Sequence, residues 1–128
     1  MTTQTATRST ADATATAIAQ YFEQFNTGNF AAVARLFATD GWLQPPFEEP
    51  VVGPGAIANY LSREASGIRC FPGATSVDAG GTRVLGRVQT PFFALNVAWH
   101  FALNPHGQLA HLQIELLASP EELLQLTR

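Results

Sequence analysis

Lysine is absent from this chain, cysteine occurs once, and no long uncharged apolar run appears. All seven cationic residues are Arg, set against ten Asp and Glu, and charged residues make up only 13% of the 128. With a net charge of -3 and no basic run, a nucleic-acid partner is excluded. Cys70 alone cannot form an internal disulfide, and no Cys/His spacing suggests zinc, so a reducing cytoplasm and no metal are expected. The opening stretch MTTQTATRSTADATATA lacks the apolar core of a signal peptide and the length of a membrane span. Residues 1–12 read as a disordered tail and 13–128 as a single domain. What the chain does have is 46% hydrophobic residues, enough for one core. Its charged surface is sparse, which points to self-association or an apolar ligand.

From Asp12 a helical stripe begins, with Ile18, Tyr21, Phe22 and Phe25 at i, i+3, i+4 and i+7. Gly28 reads as its stop and Asn29 as the N-cap of a second helix that carries Phe30, Val33, Leu36 and Phe37 and breaks at Asp40-Gly41. A short strand around Trp42 and Leu43 precedes QPPFEEPVVGPG, too rich in Pro and Gly for helix. Pro54 opens a third helix with Ile57, Tyr60 and Leu61 on its stripe.

The second half reads as strands. Ile68 to Phe71 is one, two meet at Ala79-Gly80-Gly81, a long one runs from Thr82 to Val88, and the last spans Leu109 to Leu117. Ser119, Pro120 and Glu122 have the elements of a capping box before a short terminal helix. Helices first and a meandering antiparallel sheet afterwards define an α+β domain.

The run QTPFFALNVAWHFALNP, from Gln89 to Pro105, alternates. Leu95, Val97, Trp99, Phe101 and Leu103 share one face, while Asn96, Ala98, His100 and Ala102 share the other. The bulky face must meet the helices. There Trp99 and Tyr21 each carry a donor that needs a partner once buried. They could satisfy each other, a backbone carbonyl as ordinary core aromatics, or a ligand oxygen. The small-residue face would admit a second layer such as a dimer partner, or lie partly exposed.

Four stretches together carry a resemblance: LQPPFEEPVVG from Leu43 to Gly53, VQTP from Val88 to Pro91, the Asn104-Pro105 turn, and LLASPEELL from Leu116 to Leu124. From about Ala17 to Leu126 the chain resembles the C-terminal domain of the orange carotenoid protein family of cyanobacteria, and most of all the free-standing homologues of that domain. The resemblance implies a nuclear transport factor 2-like cone: N-terminal helices on a curved antiparallel sheet around an apolar cavity, with a short C-terminal helix. It implies a ketocarotenoid such as canthaxanthin or echinenone, whose keto oxygen would accept hydrogen bonds from Tyr21 in AQYF and Trp99 in VAWHF. Phe25, Phe92, Val97, Phe101 and Cys70 would line its site. Cys70 would sit near the cavity mouth, as a small buried residue or as a redox gate between two copies. Glu64, in REAS, resembles an acidic residue that in the full-length photoreceptor pairs with an Arg of the N-terminal domain; an exposed charge at a helix end is the plainer reading.

Phe92 stands where the full-length photoreceptors carry Trp, and the segment from there to Trp99 is shorter than theirs. Without a helical N-terminal domain in this sequence, the implied role narrows from light-driven quenching to carotenoid binding, storage and transfer in photoprotection. The implied partners are a second copy, a carotenoid-donating membrane met transiently, and helical carotenoid proteins related to the photoreceptor's N-terminal domain. For a chain of this length the radius of gyration is about 14 Å, hence a diameter of roughly 36 Å, so a long polyene could not be enclosed and a homodimer would share it.

The same fold family includes steroid isomerases and polyketide cyclases, which pair a Tyr donor with a cavity carboxylate. Tyr21 would serve as donor. The base has no clear candidate among Asp40, Glu48, Glu49 and Glu115. A dimerisation module with an empty cavity is the third reading.

Overall fold

The first helix ends as its sequence directs. The computed structural model describes residues 2–117, with side chains from Asp12 onward. α1 spans Thr2–Asn26 and so begins inside the stretch expected as a tail. It closes in a Schellman turn: the Gly28 N–H donates to the Phe25 carbonyl at 3.0 Å and the Asn29 N–H to that of Gln24 at 2.9 Å. Gly28 takes φ 78°, which costs glycine nothing. The Asn29 side chain then caps α2 (Phe30–Arg35), accepting from the Ala32 N–H at 3.3 Å.

α2 is shorter than its periodicity suggests, and the expected continuation to Asp40 is corrected. The chain is already extended at Phe37, in β1 (Phe37–Gln44), because the Leu36 carbonyl accepts the Leu109 N–H at 2.8 Å and Phe37 pairs with Leu109. After β2 (Val51–Val52), α3 (Pro54–Glu64) starts with Pro54 in its first turn, as expected. β3 (Arg69–Asp78) is one strand of ten residues where the sequence suggested two, broken only by a register shift between Pro72 and Thr75. It turns at Ala79-Gly80 into β4 (Gly81–Gln89), followed by β5 (Ala94–Leu103) and β6 (Leu109–Leu117). The capping box at Ser119 and the terminal helix lie outside the described residues.

The six strands form one curved, unclosed sheet in the order β2-β1-β6-β5-β4-β3. It is mixed rather than wholly antiparallel: β1 runs parallel to β6, while the other neighbours are antiparallel. The α+β assignment stands. Cross-strand rows follow the period of two, with Thr82, Phe101 and Leu112 in one row and Val84, Trp99 and Ile114 in the next. These rows face α1, since Trp99 lies edge-on to Phe22 with ring centres 4.7 Å apart and Phe101 edge-on to Tyr21 at 5.5 Å. The end of α1 is tied to the edge strand β3 by the Asn26 side chain, which bonds the backbone of Cys70.

Candidate functional site

Between α1, α3 and the inner face of the sheet lies a cavity of about 200 Å³. α1 contributes Tyr21 and Phe25, one helical turn apart. Val97 and Trp99 supply the sheet wall from alternate positions of β5, and Cys70 enters from β3. Five residues expected at one site, Tyr21, Phe25, Cys70, Val97 and Trp99, therefore converge on one cavity.

Tyr21 is 0% exposed, and its hydroxyl has no hydrogen-bond partner among the described residues. Its ring is wedged edge-on against Phe22 at 5.2 Å and Phe101 at 5.5 Å, so the hydroxyl is held where it is. Burial, with a smaller contribution from Cys70, pushes the phenol well above its ordinary pKa of 10. The group is thus neutral and keeps its proton to donate. A buried hydroxyl without a partner costs roughly 1–3 kcal/mol, so its placement in an apolar cavity asks for an acceptor.

Trp99 is likewise buried and gains its room from β4. Its benzene ring lies over Gly86, where an added Cβ would stand 2.9 Å from Trp99 Cζ3. The strand tolerates a glycine there because a large side chain from the neighbouring strand occupies the vacated space. Cys70 sits in the wall rather than at the mouth, 3% exposed, and burial raises its thiol pKa to about 12. A thiol so protonated and enclosed is poorly suited to a redox gate.

Two expected lining residues are elsewhere. Phe101 is buried beneath Tyr21 and Phe22, one row beyond the cavity, and contributes to its support rather than its surface. Phe92 is 89% exposed, outside the wall that begins at the nearby Thr90. In the short turn from Thr90 to Phe93, the Thr90 hydroxyl and N–H bond the Phe93 carbonyl at 3.0 and 2.8 Å, and the Phe92 N–H donates back to the hydroxyl at 3.2 Å. That turn carries the ring outward.

Sequence reasoning missed Pro45 and Pro46, Tyr60 and Leu61, all of which line the cavity. The last two stood on the α3 stripe and were legible as inward-facing. The prolines lay in a loop with no periodicity to orient them. Glu64 is exposed and lines the rim, and it is the one carboxylate among the lining residues described. Glu115 lies on the opposite face of the sheet, where it bonds His100 at 3.0 Å and approaches Arg83 at 3.9 Å. That face also carries Trp42 stacked on His111, ring centres 4.5 Å apart. Among the described residues no cluster could hold a metal ion, and no helix is long and apolar enough to cross a membrane.

Helices capping a curved mixed sheet around an inner cavity define the class: residues 13–121 match the Nuclear transport factor 2 (NTF2) domain, and the chain belongs to that family. Within it the likeness is narrower. The chain is 38% identical over 120 residues to the orange carotenoid-binding protein of Synechocystis sp., a match covering 87% of this chain and 38% of that protein. It is 38% identical over 118 residues to the protein of the same name from Limnospira maxima, covering 85% and 37%. The structure of the Anabaena (Nostoc) sp. orange carotenoid protein binding canthaxanthin superposes with a TM-score of 0.73 at 38% identity, over 85% of this chain and 38% of that one. The chain thus spans well under half the length of these relatives. The epoxide hydrolase/cyclase-like enzyme SalBIII, with a TM-score of 0.69 at 19% identity, shares the fold alone.

Proposed function

We propose that this protein binds one end of a ketocarotenoid, such as canthaxanthin or echinenone, and stores and hands on that pigment without chemical conversion. The observation that carries the reading is the Tyr21 hydroxyl, fully buried and without a partner in an apolar cavity, in a chain similar to proteins named for carotenoid binding. A conjugated keto oxygen is the acceptor that such a donor lacks. Tyr21 donates one hydrogen bond to it and the Trp99 indole N–H a second, while Phe25, Val97 and Cys70 enclose the ring that bears the keto group. Phe101 supports Tyr21 from behind, and Phe92 meets the pigment outside the cavity.

The cavity is smaller than the 300–1,000 Å³ typical of sites for drug-sized ligands. A long polyene therefore leaves it through the mouth, and a second copy covers the projecting half in a homodimer. The same opening gives access to a donor membrane or to helical carotenoid proteins. A soluble protein in the cytoplasm that touches the membrane transiently fits this role. The enzyme alternative has Tyr21 as oxyanion donor, but the carboxylate nearest to the role of base, Glu64, is exposed at the rim.

Expression in cells that make canthaxanthin tests the reading. The purified wild-type protein should carry a visible band shifted to longer wavelength than the free pigment. Tyr21→Phe and Trp99→Phe should each move it back towards the blue and weaken binding by about 1 kcal/mol. A colourless wild type, or a spectrum unaltered in both variants, would sink the assignment.

A further inference from the structure

One aromatic residue at the cavity mouth stands in a conformation that its side chain disfavours. Pro45 to Glu48 form a tight turn, closed by the Glu48 N–H donating to the Pro45 carbonyl at 3.3 Å. Pro46 takes the second position and Phe47 the third, with φ 63°. A turn with Pro second and positive φ third calls for Gly or Asn there. Phe47 is the one non-glycine residue with positive φ among those described, and it is 92% exposed. An aromatic ring in water gains nothing from burial, and the backbone beneath it is strained, so both terms work against its presence.

The turn is nonetheless held firmly and beside the cavity. Pro45 and Pro46 line the cavity directly. Gln44 Nε2 donates to the Glu48 carbonyl at 3.1 Å, and the Tyr60 hydroxyl, from another cavity-lining residue, donates to Glu48 Oε2 at 3.2 Å. The β4–β5 turn repeats the arrangement, with Thr90 in the wall and Phe92 exposed two residues later. Two pinned turns thus each project a phenylalanine just beyond a cavity too small for a long ligand.

We propose that Phe47 is a ligand-contacting residue of the outer rim, its ring packing on the length of an elongated apolar ligand that emerges past Pro46. The strained turn is the cost of presenting that ring. This rests on the carotenoid-binding reading above and adds a residue and a role to it: the inner cavity grips the polar end, and Phe47 sets how long the protruding part is retained. Strain kept at a ligand clamp is a recurrent use of such positions.

The test uses the whole chain loaded with canthaxanthin and follows release into phosphatidylcholine vesicles by the loss of the protein-bound absorption band. Phe47→Gly should release pigment roughly three- to tenfold faster, the range expected for one lost aromatic contact, while Phe47→Tyr keeps the wild-type rate. The absorption maximum should not move in either, because the keto end is untouched. Without pigment, Phe47→Gly should melt at the same temperature as wild type or higher, since the strain is relieved. A wild-type release rate in Phe47→Gly overturns the proposal and leaves carotenoid binding standing. A lower melting temperature of ligand-free Phe47→Gly overturns it too, because the ring would then support the fold. So does a shift in the ligand-free monomer–dimer balance with release unchanged, which would assign the ring to a second copy. A wild type that takes up no canthaxanthin removes both readings together.

Discussion

Asn26 makes to Cys70 the two hydrogen bonds that a neighbouring strand would make, accepting its N–H at Oδ1 over 2.7 Å and donating from Nδ2 to its carbonyl over 2.9 Å. β3 is an edge strand, and its outward backbone groups at this point are answered by a side chain from the last turn of α1. The same contact fixes Cys70, and with it one wall of the cavity.

Asn26→Ala should therefore cost about 1–3 kcal/mol, because two partly buried backbone groups lose their partner at once. Urea unfolding measures the loss. Amide exchange at Cys70 should accelerate by more than global destabilisation accounts for. If Cys70 exchanges at the wild-type rate in the variant, the edge is protected by something else.

Tyr21→Phe should change sign with ligand state. Without pigment it removes an orphaned buried hydroxyl while keeping the ring that Phe22 and Phe101 enclose, so stability should hold or rise by roughly 1 kcal/mol. With pigment it should lose affinity. Thermal melts of both forms separate the two effects, and a large loss of stability in the ligand-free variant would show that the hydroxyl has a structural partner.

Gly86→Ala should destabilise by about 1–3 kcal/mol, the usual cost of overpacking. The new methyl group would press on Trp99 at Cζ3 and on the Phe71 carbonyl across the β3 pair. Tryptophan fluorescence should shift as the indole moves. An unperturbed spectrum at wild-type stability would mean that β4 yields instead.

His111 should make the fold sensitive to mild acid. Its Nδ1 is buried without a partner among the described residues, and burial lowers its pKa from 6.5. The unfolded chain then binds a proton that the folded chain resists, so stability is complete above about 6.5 and falls as pH drops through that value towards the folded pKa. His111→Phe can keep the stack on Trp42 and cannot titrate, so its stability should vary less between pH 7 and 5. Parallel curves for the two proteins would assign the acid sensitivity to other groups.

What the sequence disclosed and what it hid divide by the range of the interactions involved. The alternation from Leu95 to Leu103 identified the cavity wall because strand geometry is local, and Gly28, Asn29 and Pro54 marked helix ends for the same reason. The start of β1 at Phe37 was hidden, since it depends on a strand far along the chain. Cys70 looked like a mouth residue because it follows α3, and the bond to Asn26 that holds it in the wall spans 44 positions. Phe92 was placed inside by the family resemblance, yet the four-residue turn from Thr90 to Phe93 carries it out. Nothing in Pro-Pro-Phe-Glu signals a positive φ at Phe47, because that choice runs against the residue's own preference.

The parallel pairing of β1 with β6 bears on how the molecule is made. β1 is translated well before β6, yet among the described residues its only strand neighbour apart from the two-residue β2 is that last strand. On the ribosome, Phe37–Gln44 must wait with its edge unpaired until Leu109–Leu117 has emerged. The sheet is completed through a contact of high sequence separation, for which loop-closure entropy is lost before any pairing is gained. Folding should thus be slow for a domain of this size and completed only once β6 has emerged, and a nascent chain stalled ahead of Leu109 would expose a strand prone to pairing with other chains.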